Sequence, residues 1–252
     1  MQAFDIDAAS RQLARDGYVV VRGAYPAAAV EQARASVLEH LHLLRNTRPH
    51  PASGHLAGFH RYPELAHLEP LLCGHAGLQQ ILCAAAAAGS MRAIGLSDIT
   101  VNRSQQWHVD LLRGRYQRYL TADMCWGDAG GGVYKILWYL QDGKSLRVRP
   151  GQHLVLIALD DDACAEPGPA ADIRAVGVQA GDIVLMDIRL PHRGSSEAEL
   201  DNAASLRHPK ILVSTVVGAA SQPLTAAMEA GNAERLRDWE QRNQRHCLPV
   251  AA

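Results

Sequence analysis

The sequence predicts a mainly β protein with flanking helices: a cupin-like jelly-roll core wrapped by helical segments. Three observations lead there. From Met91 to about residue 218 the chain is a series of short β-rich segments, several bounded by Gly, Pro or Asp, and many short strands separated by turns suit a sandwich or barrel. The first ninety residues and the stretch 225–245 instead space their apolar residues as helices do. No internal repeat or interdomain linker interrupts the 252 residues, a length that one domain accommodates. The expected organisation is a single domain over 1–252, with a mostly helical part at 1–90, the jelly roll at 91–220 and a C-terminal helix at 225–245.

Taken in order, residues 8–15 have a short helical pattern that ends at Gly17, and YVVVRG (18–23) is a β-branched strand. Pro26 suits the first turn of a helix over 27–43, which puts Val30, Ala33, Val37, Leu38 and Leu41 on one side. Residues 45–63 are rich in Pro, Gly, His and Arg and lack periodicity. They read as a long loop, of a kind that often carries function. Two helices are expected over 64–88. Strands follow at 91–102, 133–141, 145–150, 171–178, 181–188 and 210–218.

Composition narrows the class. With 48% hydrophobic and 20% charged residues the chain has the make-up of a globular protein. A formal net charge of −1 argues against sequence-independent nucleic-acid binding. Cys73, Cys83, Cys125, Cys164 and Cys247 are scattered singly, with no CxxC pair. That pattern fits reduced thiols better than a disulfide framework. The start of the chain lacks the features of a signal peptide, and the longest apolar stretch, 81–88, is too short to cross a bilayer. A cytoplasmic protein without membrane or nucleic-acid partners is expected.

The strongest chemical signal is WHVD at 107–110. On an extended chain, residues two apart share a face. His108 and Asp110 then present an imidazole and a carboxylate to one side while Val109 faces away. These are two of the three ligands of a facial triad, an arrangement that leaves coordination positions open on iron(II). HxD alone is common by chance. A third ligand is offered by GDIVLMDIRLPHRG (181–194), a strand followed by Pro191 and His192. Two opposed strands of one barrel can bring His192 to a pair 82 positions earlier.

Five pieces in order resemble the phytanoyl-CoA dioxygenase family of iron(II)/2-oxoglutarate oxygenases: DGYVVVRG followed by a helix, WHVD, LRVRPGQH (146–153), GDIVLMD with PHRG, and the strand that follows. The resemblance covers most of the chain. It implies a double-stranded β-helix with His108, Asp110 and His192 as iron ligands, and 2-oxoglutarate and dioxygen as co-substrates. Two departures stand out. His153 lies in Pro-Gly-Gln-His where the family has Pro-Gly-Ser-His, a turn residue rather than a ligand, and the connection QDGKS (141–145) is short.

The resemblance also implies a buried cation for the far carboxylate of 2-oxoglutarate, since a guanidinium fork matches a carboxylate. Arg207, fifteen residues after His192, is the first choice. Lys210 competes because it opens the strand proper, whereas Pro209 would interrupt a strand begun at Arg207. Ser205, Gln106 and Tyr134 are further candidates for the co-substrate. Asp110 favours hydroxylation, because related halogenases replace this acid with a small residue to admit chloride.

The substrate is expected to be a small molecule. Arg113, Arg115 and Arg118, with Arg45, Arg48, His50, His55, His60 and Arg61 from the loop, would give the barrel mouth a cationic rim suited to a carboxylated or phosphorylated compound. Two other classes fit parts of the pattern. A cupin-like metal enzyme that does not use 2-oxoglutarate would need no cation after His192, and a non-catalytic binding protein of this fold would have no need of an intact triad.

Overall fold

Strand β5 (Val133–Tyr139) organises the molecule. Its residues alternate between two faces, as an extended chain requires. Tyr134, Ile136 and Trp138 join an apolar cluster with the helices, while Leu137 and Tyr139 join a second cluster inside the barrel. In the computed structural model, which describes residues 4–47, 53–128, 130–156, 172–201 and 207–243, β5 lies between β8 (Ile183–Asp187) and β10 (Ile211–Ala219).

Among the described residues these strands belong to a seven-stranded sheet. It runs β1 (Tyr18–Val21), β8, β5, β10, β4 (Asp98–Val101), β2 (Gly54–Ala57), with β3 (Met91–Ala93) also paired to β10. A three-stranded sheet, β7 (Arg174–Val178), β6 (Gly143–Val148), β9 (His192–Arg193), faces it. All the pairings are antiparallel. The result is a jelly roll with flanking helices. Val148, Val176 and Val178 from the small sheet meet Leu137, Val184 and Met186 from the large one in the layer between them.

Helices cover the other face of the large sheet. α1 (Ile6–Asp16) is capped by the Asp5 carboxylate, which accepts from the Ala8 amide, and it closes at Gly17. That glycine has φ 79°, and a Cβ there would lie 2.6 Å from His153 Nδ1. Only glycine meets both conditions without strain. α2 (Ala27–Glu39) buries Val30, Ala33 and Val37, and α4 (Ala76–Ala85) buries Leu78, Ile81 and Leu82, following the helical spacing of their apolar residues. The short α3 (Glu69–Cys73) precedes α4.

Three expectations are corrected. GHLA inside 45–63 is not loop: it is the edge strand β2, buried along its length and paired to β4, with Arg45 bridged to His55. Glycine, histidine and alanine give a weak strand signal on their own, and the pairing with β4 supplies what propensity does not. The segment 91–102 is two strands, broken where Gly95 turns at φ 75°. A short helix, α5 (Ala122–Trp126), capped by Thr121, stands in the part of the chain expected as a series of short strands. Later in the chain come α6 (Glu197–Leu200) and the long C-terminal helix α7 (Pro223–Asn243). No helix among the described residues is long and apolar enough to cross a membrane.

Candidate metal centre and its two cavities

WHVD is extended but is not a regular strand. A single antiparallel bridge joins His108 to His192, with the His108 amide donating to the His192 carbonyl at 2.8 Å and the reverse at 2.9 Å. The Asp110 amide donates to the Ile188 carbonyl at 2.8 Å. These three bonds fix the register between the two motifs. Val109 turns into an apolar cluster with Leu111, Leu112 and Met228, and His108 and Asp110 turn the other way.

One ligand atom from each of His108, Asp110 and His192 lies within 4.8 Å of the other two. His192 Nε2 is 3.4 Å from Asp110 Oδ2, and His108 Nε2 is 3.8 Å from Asp110 Oδ1. Each imidazole is locked by its other nitrogen: His108 Nδ1 donates to the Gln106 carbonyl at 2.7 Å and His192 Nδ1 to the Leu190 carbonyl at 2.9 Å. Such bonds set the tautomer that leaves Nε2 free to bind a metal.

The electrostatics agree. Burial lowers the pKa of both histidines, so they stand neutral, as ligands must. Burial alone would raise Asp110, but Lys135, His192 and His108 outweigh it and hold the carboxyl well below its usual range. His108 Nε2 and Asp110 Oδ2 are buried without a hydrogen-bond partner. Orphaned polar atoms of this kind cost about 1–3 kcal/mol each unless something satisfies them. Two imidazoles and a carboxylate converging through such atoms fit a divalent metal with open positions.

Two cavities meet here. The inner one, about 510 Å³ including space open to solvent, lies between the sheets and is lined by His192, Lys135, Tyr139, Thr100, Ser195 and Lys210 among others. The outer one, about 840 Å³ including space open to solvent, is lined by His108, Asp110, Lys135, Arg103, Arg113, Asp98, His55 and Arg235 with several leucines.

The remaining candidates divide. Lys210 lines the inner cavity, donates from Nζ to Ser195 Oγ at 2.7 Å, and has its pKa lowered to about 8 by burial. Arg207 is exposed and is not part of the cavity lining. The difference follows from the strand: Pro209 separates Arg207 from β10, while Lys210 lies directly before it and its amide is tied to Asn102 Oδ1. Ser205 lies outside the described residues. Tyr134 faces the helices rather than either cavity, because β5 alternates and Lys135 takes the inward position. Gln106 is exposed and offers its carbonyl to His108, and it is the neighbouring Gln105 that lines both cavities.

Of the three arginines at 113–118, Arg113 lines the outer cavity. Arg115 and Arg118 turn to α7, where Arg115 pairs with Asp238 and Arg118 with Glu234 at 2.5 Å. His55 reaches the outer cavity, whereas Arg61 is buried against Glu240. Arg48 and His50 lie outside the described residues. His153 is structural: it is buried, with Nε2 3.1 Å from the Ala14 carbonyl.

Lys135, Arg103, Asp98 and Arg235 were not singled out from the sequence. Lys135 had a signal, as the one charge in the apolar run VYKILWY. Asp98, Arg103 and Arg235 had none, because only the fold brings them to one wall.

The fold is shared with solved structures. The non-haem α-ketoglutarate-dependent epimerase SnoN from nogalamycin biosynthesis superposes with a TM-score of 0.64 at 17% identity, over 85% of this chain and 83% of that one. The α-ketoglutarate-dependent carbocyclase SnoK, from the same biosynthesis, gives 0.62 at 19% identity over 87% and 88%. The fold is the one these enzymes have. AviO1 from Streptomyces viridochromogenes Tue57 gives 0.61 at 18% identity over 88% and 99%. No family model and no curated protein matches the sequence.

Proposed function

We propose that this protein is an iron(II)- and 2-oxoglutarate-dependent oxygenase acting on a small molecule. The observation that carries the reading is the convergence of His108, Asp110 and His192 beside a partly open cavity lined by Lys210. The motifs that resemble the phytanoyl-CoA dioxygenase family support it, and so does the fold.

His108, Asp110 and His192 would hold the iron. When bound there with 2-oxoglutarate and dioxygen, iron supplies an oxidant able to take hydrogen from a C–H bond, leaving succinate and carbon dioxide. The protein's part is positioning. Lys210 anchors the far carboxylate of 2-oxoglutarate in the inner cavity, with Ser195, Tyr139 and Thr100 offering hydroxyls around it. A lysine can fill this role as a point charge, without the two-pronged geometry of arginine. Lys135, 2.7 Å from Asp110 Oδ1, holds the carboxylate ionised and oriented. The substrate enters by the outer cavity, which reaches His108 and Asp110 from the other side.

Hydroxylation is the outcome we infer from the retained Asp110. Epimerisation and ring closure, named for SnoN and SnoK, are the alternative outcomes, and product analysis separates the three. A metal enzyme that does not use 2-oxoglutarate has no need of Lys210 in the inner cavity. The test is to incubate iron-loaded protein with 2-oxoglutarate and a metabolite panel while following succinate. Substrate-stimulated succinate that disappears in His192→Ala is expected. Turnover of a metabolite without 2-oxoglutarate would contradict the reading.

A further inference from the structure

The outer cavity carries more positive charge than its own carboxylates neutralise. Asp98 is half-buried there and is held ionised: desolvation opposes this, but Arg235 at 2.6 Å and His55 at 3.1 Å overcome it through Oδ2. Asp110 is matched by Lys135 and belongs to the metal centre. With Asp98 paired through Oδ2 and Asp110 through Oδ1, Arg103 and Arg113 are left without an ion pair among the described residues.

Neither arginine has a carboxylate within ion-pair distance among the described residues, in contrast to Arg115 and Arg118. Arg113 Nη2 donates to the Val109 carbonyl at 2.7 Å, which pins the side chain over the backbone between His108 and Asp110. Arg103 follows β4 and lines both cavities. It is largely buried; Asp98 and Asp110 attract it, while Arg235 and Arg113 face it as like charges. Arg103, Arg113 and Arg235 together carry more positive charge than Asp98 offsets, and an anion between Arg103 and Arg113 relieves the repulsion that remains. The iron and Lys210 account for both carboxylates of 2-oxoglutarate, so that anion belongs to something else.

We propose that Arg103 and Arg113 clamp an anionic group of the substrate, a carboxylate or a phosphate, and so hold a neighbouring carbon beside the metal centre. The proposal rests on the oxygenase reading above and adds the substrate class. Guanidinium groups suit it because their planar forks accept oxyanions through paired hydrogen bonds. Leu96, Leu111 and Leu112 on the same wall offer apolar surface for the rest of the molecule.

The test uses benzoate, phenyl phosphate and uncharged benzyl alcohol, titrated by calorimetry into the full chain loaded with Mn(II) and 2-oxoglutarate. At least one anion should bind saturably and benzyl alcohol should not. The preferred anion then tells carboxylate from phosphate. Arg103→Gln and Arg113→Gln should each weaken the anion roughly ten- to a hundredfold, the loss expected for a charged hydrogen bond. Arg92→Gln, at a surface pair with Glu229, should leave it unchanged. No anion binding, or equal binding by wild type and both cavity variants, overturns the proposal. A parallel anaerobic titration with iron(II) follows the charge-transfer absorption of bound 2-oxoglutarate, which both cavity variants should retain. If Arg103→Gln loses it together with the anion, Arg103 serves the co-substrate and the clamp is wrong. If wild type itself never develops the absorption, it is the oxygenase reading that has failed.

Discussion

The two faces of the large sheet are built from the same strands and do different work. Toward the helices, β5 presents Tyr134, Ile136 and Trp138 to an apolar layer with α1, α2 and α4. Toward the barrel it presents Lys135, Leu137 and Tyr139, and all three line the inner cavity with Lys210 and His192. The outer-facing layer stabilises by area removed from water, about 25 cal/mol per Å² of apolar surface. The inward layer does the opposite locally: it buries a lysine, a carboxylate and two histidines, each costly unless paired. Polar groups set among the apolar residues of the inner face are what a ligand site would need.

That comparison can be broken most sharply at the triad. His192→Ala or Asp110→Ala should reduce metal affinity by more than about a hundredfold, since loss of a supporting partner alone costs roughly 10–100-fold. Calorimetric titration of Mn(II) measures it, and fold retention is checked by circular dichroism. Metal binding at wild-type strength in either variant would show that the inward face is not built for an ion.

Lys210→Ala should come next. Leaving the far carboxylate of 2-oxoglutarate unpaired costs roughly 2–5 kcal/mol, or about thirtyfold to several thousandfold in Kd. Arg207→Ala should stay within about threefold, because an exposed charge contributes little. The reverse order of effects would move the anchor to Arg207.

Trp138→Ala sharpens the contrast from the other side. This side chain is wholly buried on the helix-facing layer, and its loss should cost about 3–5 kcal/mol in a urea unfolding experiment. The variant that remains folded should bind 2-oxoglutarate within a few-fold of wild type. A large loss of binding at unchanged stability would mean that the two faces are coupled.

A smaller effect is expected from pH. Burial lowers Lys210 to about 8, so its ammonium is charged below that value and is lost above it. Binding an anion favours the charged form and raises the pKa in the complex. Affinity for 2-oxoglutarate should therefore be full below about pH 8 and fall as pH rises through it, by up to about tenfold per unit. Lys210→Arg should bind without this decline, because arginine stays charged. A flat profile in wild type would place the carboxylate elsewhere.

How much of this the sequence discloses follows the same division. The helix-facing layer is legible, because VYKILWY, GDIVLMD and the spacing of Val30, Ala33 and Val37 carry periodicity within each element. The triad is legible as well, since each motif is short and its alternation is local. β2 is hidden because GHLA takes its strand geometry from β4. The wall made by Asp98, Arg103, Arg113 and Arg235 is hidden because its members lie up to 137 positions apart and meet through α7 and β4. The choice between Arg207 and Lys210 depended on where β10 begins, and a strand boundary three residues off changes the answer.

The central claim is that one inward-facing site takes a metal and 2-oxoglutarate together. Calorimetric titration of 2-oxoglutarate into the Mn(II)-loaded and metal-free protein tests it most directly. The account predicts saturable binding that requires the metal, weakens at least about thirtyfold in Lys210→Ala and vanishes in His192→Ala. Binding that is equally tight without metal, or unchanged in Lys210→Ala, would contradict it.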